Sequence, residues 1–165
     1  MGIHKVDLLQ YLLDDEIEPV SAFQGALDKI NEKGEPIEVC DNIVCSLKTK
    51  KGRLGTASFS WTYYGEEDNS TIIYCEKGIL KIYHSDQYQL EVITDREKVQ
   101  YQVESIQTNS NQTNSGVIDS FIECVRLDHS PFVTGEDALS FLKVILGIIE
   151  AAELNRVVYL NRVPP

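Results

Sequence analysis

A chain of 165 residues, 42% of them hydrophobic, is the size of one ordinary domain and can bury roughly 70% of its unfolded surface around a single core. Its 26 acidic against 15 basic residues give a formal charge of -11, which opposes phosphate contacts, so nucleic acid and anionic membranes are poor partners. No apolar run approaches a membrane span, charges enter by Lys5 and Asp7, and Cys40, Cys45, Cys75 and Cys124 form no Cys-x-x-Cys pair; reduced thiols in the cytoplasm are the expectation.

The first element is a helix over residues 3–13, because Val6, Leu8, Leu9, Leu12 and Leu13 recur at three- and four-residue steps. Asp14, Asp15 and then Pro19 end it, and a strand follows through Val20, Ala22 and Phe23. Residues 28–36 are charged and contain Gly34, which reads as a loop or short helical turn. From Ile43 to Val103 the pattern changes to short runs rich in Val, Ile, Thr, Tyr, Phe and Trp, separated by turn signals. Strands are expected over 43–49, 54–64, 70–75, 79–84, 89–94 and 98–104, joined by short turns into an antiparallel meander. In the second of these Ala57, Phe59, Trp61 and Tyr63 share one face, while Thr56, Ser58, Ser60 and Thr62 share the other. The aromatic set can meet helices or a second subunit.

Residues 108–115 are almost wholly Ser, Thr, Asn and Gln and read as an exposed loop, with Ser115 as a cap for the next helix. Helical spacing returns with Val117, Ile118, Phe121, Ile122 and Val125, and again over 135–155, where Thr134 and Asp137 have the spacing of a capping box. That last helix is too apolar to stand half in water and should lie across the sheet. Residues 157–160 should add an edge strand. The fold class is α+β: a mostly antiparallel open sheet with helices from both chain ends on one face, and the other face available for dimerisation.

Chemistry concentrates in one place. At about 100 degrees per residue, His4, Asp7 and Tyr11 fall in one stripe of the first helix, beside its apolar face. A histidine and a carboxylate one turn apart can hold a polyol and move protons, since histidine as a residue type titrates near neutral pH; a solvated stripe is the plain alternative. His84 and His129 have no Cys, Asp or second His at metal-ligand spacing and read as structural. The chain has no Gly-x-Ser-x-Gly elbow and no Gly-x-Gly-x-x-Gly between strand and helix, so no dinucleotide site is expected within it.

The segment Gly2-Ile3-His4-Lys5-Val6-Asp7-Leu8-Leu9 resembles the start of the C-terminal domain in the glucose-fructose oxidoreductase and inositol dehydrogenase family, written Gfo/Idh/MocA. Gly135-Glu136-Asp137-Ala138-Leu139 resembles the opening of that domain's last helix, and Asn155-Arg156-Val157-Val158-Tyr159-Leu160 its final strand. Lys51-Gly52-Arg53-Leu54-Gly55 and Glu76-Lys77-Gly78-Ile79-Leu80 are similar to parts of its sheet.

The resemblance implies that residues 1–165 form a single substrate-binding and dimerisation domain of an oxidoreductase that acts on the CH-OH group of a sugar, inositol or related polyol. It implies NAD or NADP held by a preceding Rossmann domain that also supplies a lysine. His4 is then the catalytic acid/base and Asp7 a substrate-binding residue, and the open sheet face makes a homodimer. The family's first motif aspartate would precede Met1, and this chain alone is expected to catalyse nothing. A noncatalytic sugar-ligand or protein-binding module that dimerises through its sheet is the alternative.

Overall fold

The computed structural model of the chain describes residues 2–62, 65, 67–102 and 116–160. Among these residues three helices, α1 (Gly2–Leu13), α2 (Val117–Leu127) and α3 (Gly135–Leu154), accompany eight strands. The strands are β1 (Ile17–Gly25), β2 (Asn42–Thr49), β3 (Leu54–Ser60), β4 (Thr71–Cys75), β5 (Gly78–Ile82), β6 (Leu90–Ile93), β7 (Lys98–Tyr101) and β8 (Val158–Tyr159). The α+β class and the antiparallel pairing are as expected. The strands divide, however, into two four-stranded sheets, ordered β3-β2-β1-β8 and β4-β5-β6-β7, where a meander through one sheet was expected. The chain forms two compact units, residues 1–63 with 128–165 and residues 64–127.

In the first unit α1 and α3 pack together, and α3 lies on β1. The helical face of this sheet is set by alternation: Val20, Ala22, Cys45 and Leu47 point into a core completed by Val6, Val144, Ile148, Ala151 and Val158. Val144 and Val6 are each only 1% exposed. The aromatic question resolves here. Ala57 and Phe59 pack against this core, Trp61 lies past the end of β3 and is exposed, and Tyr63 and Tyr64 lie outside the described residues. Thr56 and Ser58 stand exposed on the opposite face, across β2 from Phe23 and Ser21, with Val44 and Ser46 between them. Pro19 sits inside β1, where the register with β2 shifts, which is where a residue without an N–H does least harm to a ladder. The expected edge strand is present as β8, paired with β1 through Pro19–Tyr159 and Val20–Val158.

Each helix ends the same way. Asp14, Asp128 and Asn155 take left-handed backbone angles (φ 45, 52 and 49), the conformation that Asp and Asn tolerate best among residues with a side chain. At α1 the Asp14 and Asp15 amides donate back to the Tyr11 and Gln10 carbonyls, closing the last turn. At the start of α3 the capping box is formed: the Asp137 amide donates to Thr134 Oγ1 at 3.2 Å, and the Thr134 amide donates to Asp137 Oδ2 at 2.8 Å. The Thr134 amide and the Thr134 hydroxyl, both donating to Asp137 Oδ2, hold the Asp137 carboxyl below the usual carboxylate range.

In the second unit β4 to β7 form the expected meander. Pairing puts Ile73, Leu80, Val92 and Val99 in one row of a single face, beside the row Ile82, Leu90 and Tyr101. None of these side chains is fully buried. The opposite face carries Lys81, Glu91 and Gln100 across three strands. The strands are shorter than the sequence suggests. β5 stops at Ile82 because Tyr83 turns to φ 49 and its amide donates to the Gln89 carbonyl, closing the connection to β6. Residues 103–104, the polar stretch 108–115 and its capping Ser115 lie outside the described residues. The four cysteines are free thiols, with Cys45 and Cys124 buried.

Candidate functional site

α1 has two faces. Val6 and Gln10 are buried and Leu9 packs against the core, so the stripe His4, Asp7, Tyr11 is left on the outer part of the helix. His4 is exposed, Asp7 is half-buried and Tyr11 is 69% exposed. His4 and Asp7 follow one another by roughly 5 Å along the helix axis, a spacing that lets two adjacent hydroxyls of one small molecule meet both. His84 and His129 are exposed, and His129 Nδ1 lies 3.1 Å from the Ser130 carbonyl oxygen. Among the described residues no three His, Cys, Asp or Glu side chains are grouped to hold a metal ion.

An open cleft of the first unit begins at Asp7 and runs toward the C-terminal end of α1. Asp7, Gln10 and Tyr11 form its helical wall, Lys50 and Lys51 enter from the turn after β2, and Phe132, Ser140 and Phe141 close the α3 side. His4 is not among its lining residues. Thus the expected stripe is split: Asp7 and Tyr11 line the cleft, and His4 does not.

Gln10 sets the floor of this cleft. Its Oε1 accepts the Ile17 amide at 3.1 Å and its Nε2 donates to Ser140 Oγ at 3.2 Å, tying α1 at once to β1 and α3. A polar residue inside an otherwise apolar stripe is the sequence signal that marks it, since a buried amide must be satisfied. Asp15 holds the neighbouring wall. Its side chain is 2% exposed and accepts Arg53 Nη1 at 2.7 Å, with the Lys51 amide and Thr49 also contributing. Burial alone would raise the Asp15 carboxyl, but these hydrogen bonds and the Arg53 charge outweigh it and hold it below the usual range. Lys50 Nζ is bound to Glu16 at 2.8 Å, and Lys51 Nζ is bound to the Asp14 carbonyl. The Asp14-Asp15-Glu16 run, read from sequence only as a helix stop, is therefore a set of anchors for the two lysines and Arg53.

Every described strand pair is antiparallel, so among the described residues there is no βαβ crossover to seat a dinucleotide's pyrophosphate at a helix N-terminus. The described residues do not fit NAD or NADP.

The sequence profile of the GFO/IDH/MocA C-terminal domain matches residues 1–81, which includes the whole of α1 and the His4–Asp7 motif. Residues 1–81 belong to the Gfo/Idh/MocA C-terminal domain family. Solved structures extend the likeness over the rest of the fold. An aldose-aldose oxidoreductase from Caulobacter crescentus, complexed with glycerol, superposes with a TM-score of 0.73 at 22% identity over 96% of this chain and 45% of that one. Levoglucosan dehydrogenase, in complex with NADH and levoglucosan, gives 0.77 at 16% identity over 99% of this chain and 50% of its own. An oxidoreductase domain protein from Kribbella flavida gives 0.78 at 15% identity, covering 98% and 50%. The chain thus spans about half the length of the solved structures it matches. No curated protein sequence matches it. No helix among the described residues is long and apolar enough to cross a membrane.

Proposed function

We propose that residues 1–165 act as the substrate-binding and dimerisation domain of a cytoplasmic NAD(P)-dependent oxidoreductase that acts on the CH-OH group of a sugar, inositol or related polyol. The observation that carries this reading is the outward His4–Asp7 pair on α1 of a Gfo/Idh/MocA domain, bordering a cleft of mixed aromatic and polar residues. His4 takes the proton of the reacting hydroxyl, and Asp7 accepts a hydrogen bond from a neighbouring one. The nicotinamide is supplied by a Rossmann domain outside these residues, together with a lysine that shares the proton transfer. The chain alone should therefore bind polyols without oxidising them, because hydride transfer needs the ring held against the reacting carbon.

Three measurements test this. Glucose and myo-inositol titrated into the 15N-labelled chain should shift the His4 and Asp7 amides, and a silent His4 across both sugars would reject the assignment. Incubation of the pure chain with NAD or NADP and the same polyols should give no reduced nicotinamide, and any turnover would overturn the division of labour. An immunoblot of the source cell should show a band roughly one domain larger than this chain. A band at the mass of the 165-residue chain would instead favour the second reading, a noncatalytic sugar-binding module.

The homodimer is proposed through the apolar face of β4-β5-β6-β7. Ile73, Leu80, Val92 and Val99 form a continuous row there that is not fully buried in one subunit, a surface that a second copy can finish covering. A monomeric mass by light scattering at working concentration would remove it.

A further inference from the structure

His4 and Tyr11 are separated by roughly 10 Å along α1, more than one sugar ring spans, and Asp7 lies between them. The cleft begins at Asp7 and leads away from His4. A substrate whose reacting hydroxyl meets His4 and whose neighbouring hydroxyl meets Asp7 can therefore continue into the cleft only if it has a second ring or a substituent of similar size. The walls suit such a group. Tyr11 is 69% exposed and Phe132 83% exposed at its edges, large aromatic surfaces left in water on either side of a polar floor. Exposed aromatics flanking fixed hydrogen-bonding groups form a ligand-binding arrangement, with the rings meeting apolar CH faces and the polar groups fixing orientation. Ser140 Oγ and Gln10 supply that polar floor, and their mutual hydrogen bond holds both in place.

Charge decides which second group fits. The lining carries Asp7, Asp14, Asp15, Glu16 and Asp137 against Lys50 and Lys51. Lys50 is held by Glu16 and Lys51 by Asp14, so neither cation is left over for a phosphate. Asp7 takes part in no ion pair among the described residues. The field at the mouth is negative, and a phosphorylated sugar or a sugar nucleotide would meet it at a cost.

We propose that this cleft is a second sugar subsite, joined to the His4 site through Asp7, which takes the next ring of an uncharged disaccharide or glycoside and disfavours phosphorylated sugars. The proposal rests on the His4–Asp7 reading for its direction, and Tyr11 is its specificity-determining residue.

The test is a titration of the 15N-labelled chain with a panel of neutral disaccharides (maltose, cellobiose, lactose, sucrose), with glucose, and with glucose 1-phosphate. At least one disaccharide should shift the Tyr11 and Ser140 amides as well as His4 and bind about fivefold or more tighter than glucose. Tyr11→Ala, at an exposed position, should abolish that advantage by weakening the disaccharide more than it weakens glucose. Disaccharides no tighter than glucose, an advantage that survives Tyr11→Ala, or glucose 1-phosphate binding as well as the disaccharides would each overturn the subsite. Shifts confined to Tyr11 and Ser140, with His4 unmoved by every sugar, would keep the cleft as a sugar site and remove the His4 reading, so the two can fail separately.

Discussion

Sheet β3-β2-β1-β8 and sheet β4-β5-β6-β7 have the same number of strands and the same antiparallel pairing, yet their most buried side chains differ in kind. In the first, alternation delivers Val20, Ala22, Cys45 and Leu47 to a face packed under α3, where all four are buried. In the second, the most buried side chain is a carboxylate, Glu91, 5% exposed and bound to Lys98 Nζ at 2.7 Å and to Gln100. The apolar row on the other face of that sheet is only half covered. Alternation therefore tells which residues share a face, and only packing tells whether water reaches it. The first sheet has one face packed to full burial, and the matching face of the second is only partly buried.

The largest expected effect separates the two directly. Ile148→Ala, at a position 3% exposed in the first core, should cost about 2–5 kcal/mol in chemical denaturation. Leu80→Ala, on the half-covered face, should cost clearly less when measured on the dilute monomer. Equal losses at low concentration would show that the second face is already covered within one chain, and the contrast would fail. Leu80→Arg sharpens it in another way: the dimer should dissociate to monomers by light scattering while far-ultraviolet circular dichroism stays unchanged. A dimer that survives the arginine would move the interface away from this face.

Acid should act on both units in the same direction. Asp15 and Asp41 in the first unit and Glu91 in the second are all held below their ordinary carboxylate values. For Glu91 the hydrogen bonds from Lys98 and Gln100 are the leading cause. A carboxyl whose folded value is depressed contributes its stability in full above the unfolded value, about 4, and loses it as pH falls through the lower folded value. The urea midpoint should thus be level from pH 6 to about 4 and decline below, with a shallower decline in Asp41→Asn and Glu91→Gln. A midpoint that rises on acidification would contradict all three assignments. The smallest effect is at the site itself. His4→Ala should change stability by about 0.5 kcal/mol or less, because His4 is exposed, while removing the polyol-induced shifts around Asp7. A large loss of stability would recast His4 as structural.

Much of this was readable from local pattern. The helical spacing of Val6, Leu9 and Leu13 and the Thr134–Asp137 box announce α1 and α3, because both signals act within a turn or two of the chain. The division into two sheets was not readable, since short strands of like composition carry no mark of which neighbour they join. Nor were the anchors of the cleft. Arg53 reaches Asp15 across 38 positions and Gln10 reaches Ser140 across 130, and nothing near either residue in sequence encodes its partner. His4 and Asp7 were legible for the opposite reason: one helical turn fixes their relation whatever surrounds them.

Asp41 governs where this fold can change. It is 2% exposed, its Oδ2 accepts the Asp28 and Lys29 amides and its Oδ1 the Leu27 amide, all at 2.8–2.9 Å. Its own amide donates to the Gly25 carbonyl and its carbonyl accepts from Trp61, so the excursion between β1 and β2 is cinched at its base. Beyond that cinch, residues 29–37 fold back on themselves through a turn built on Asn31. Because lengthening a loop that is already closed at its ends adds little entropy cost, residues can be added near Gly34 with the two strands still in register. The excursion is a detachable tip on a fixed clasp, and evolution or an engineer can exchange it without renegotiating the core.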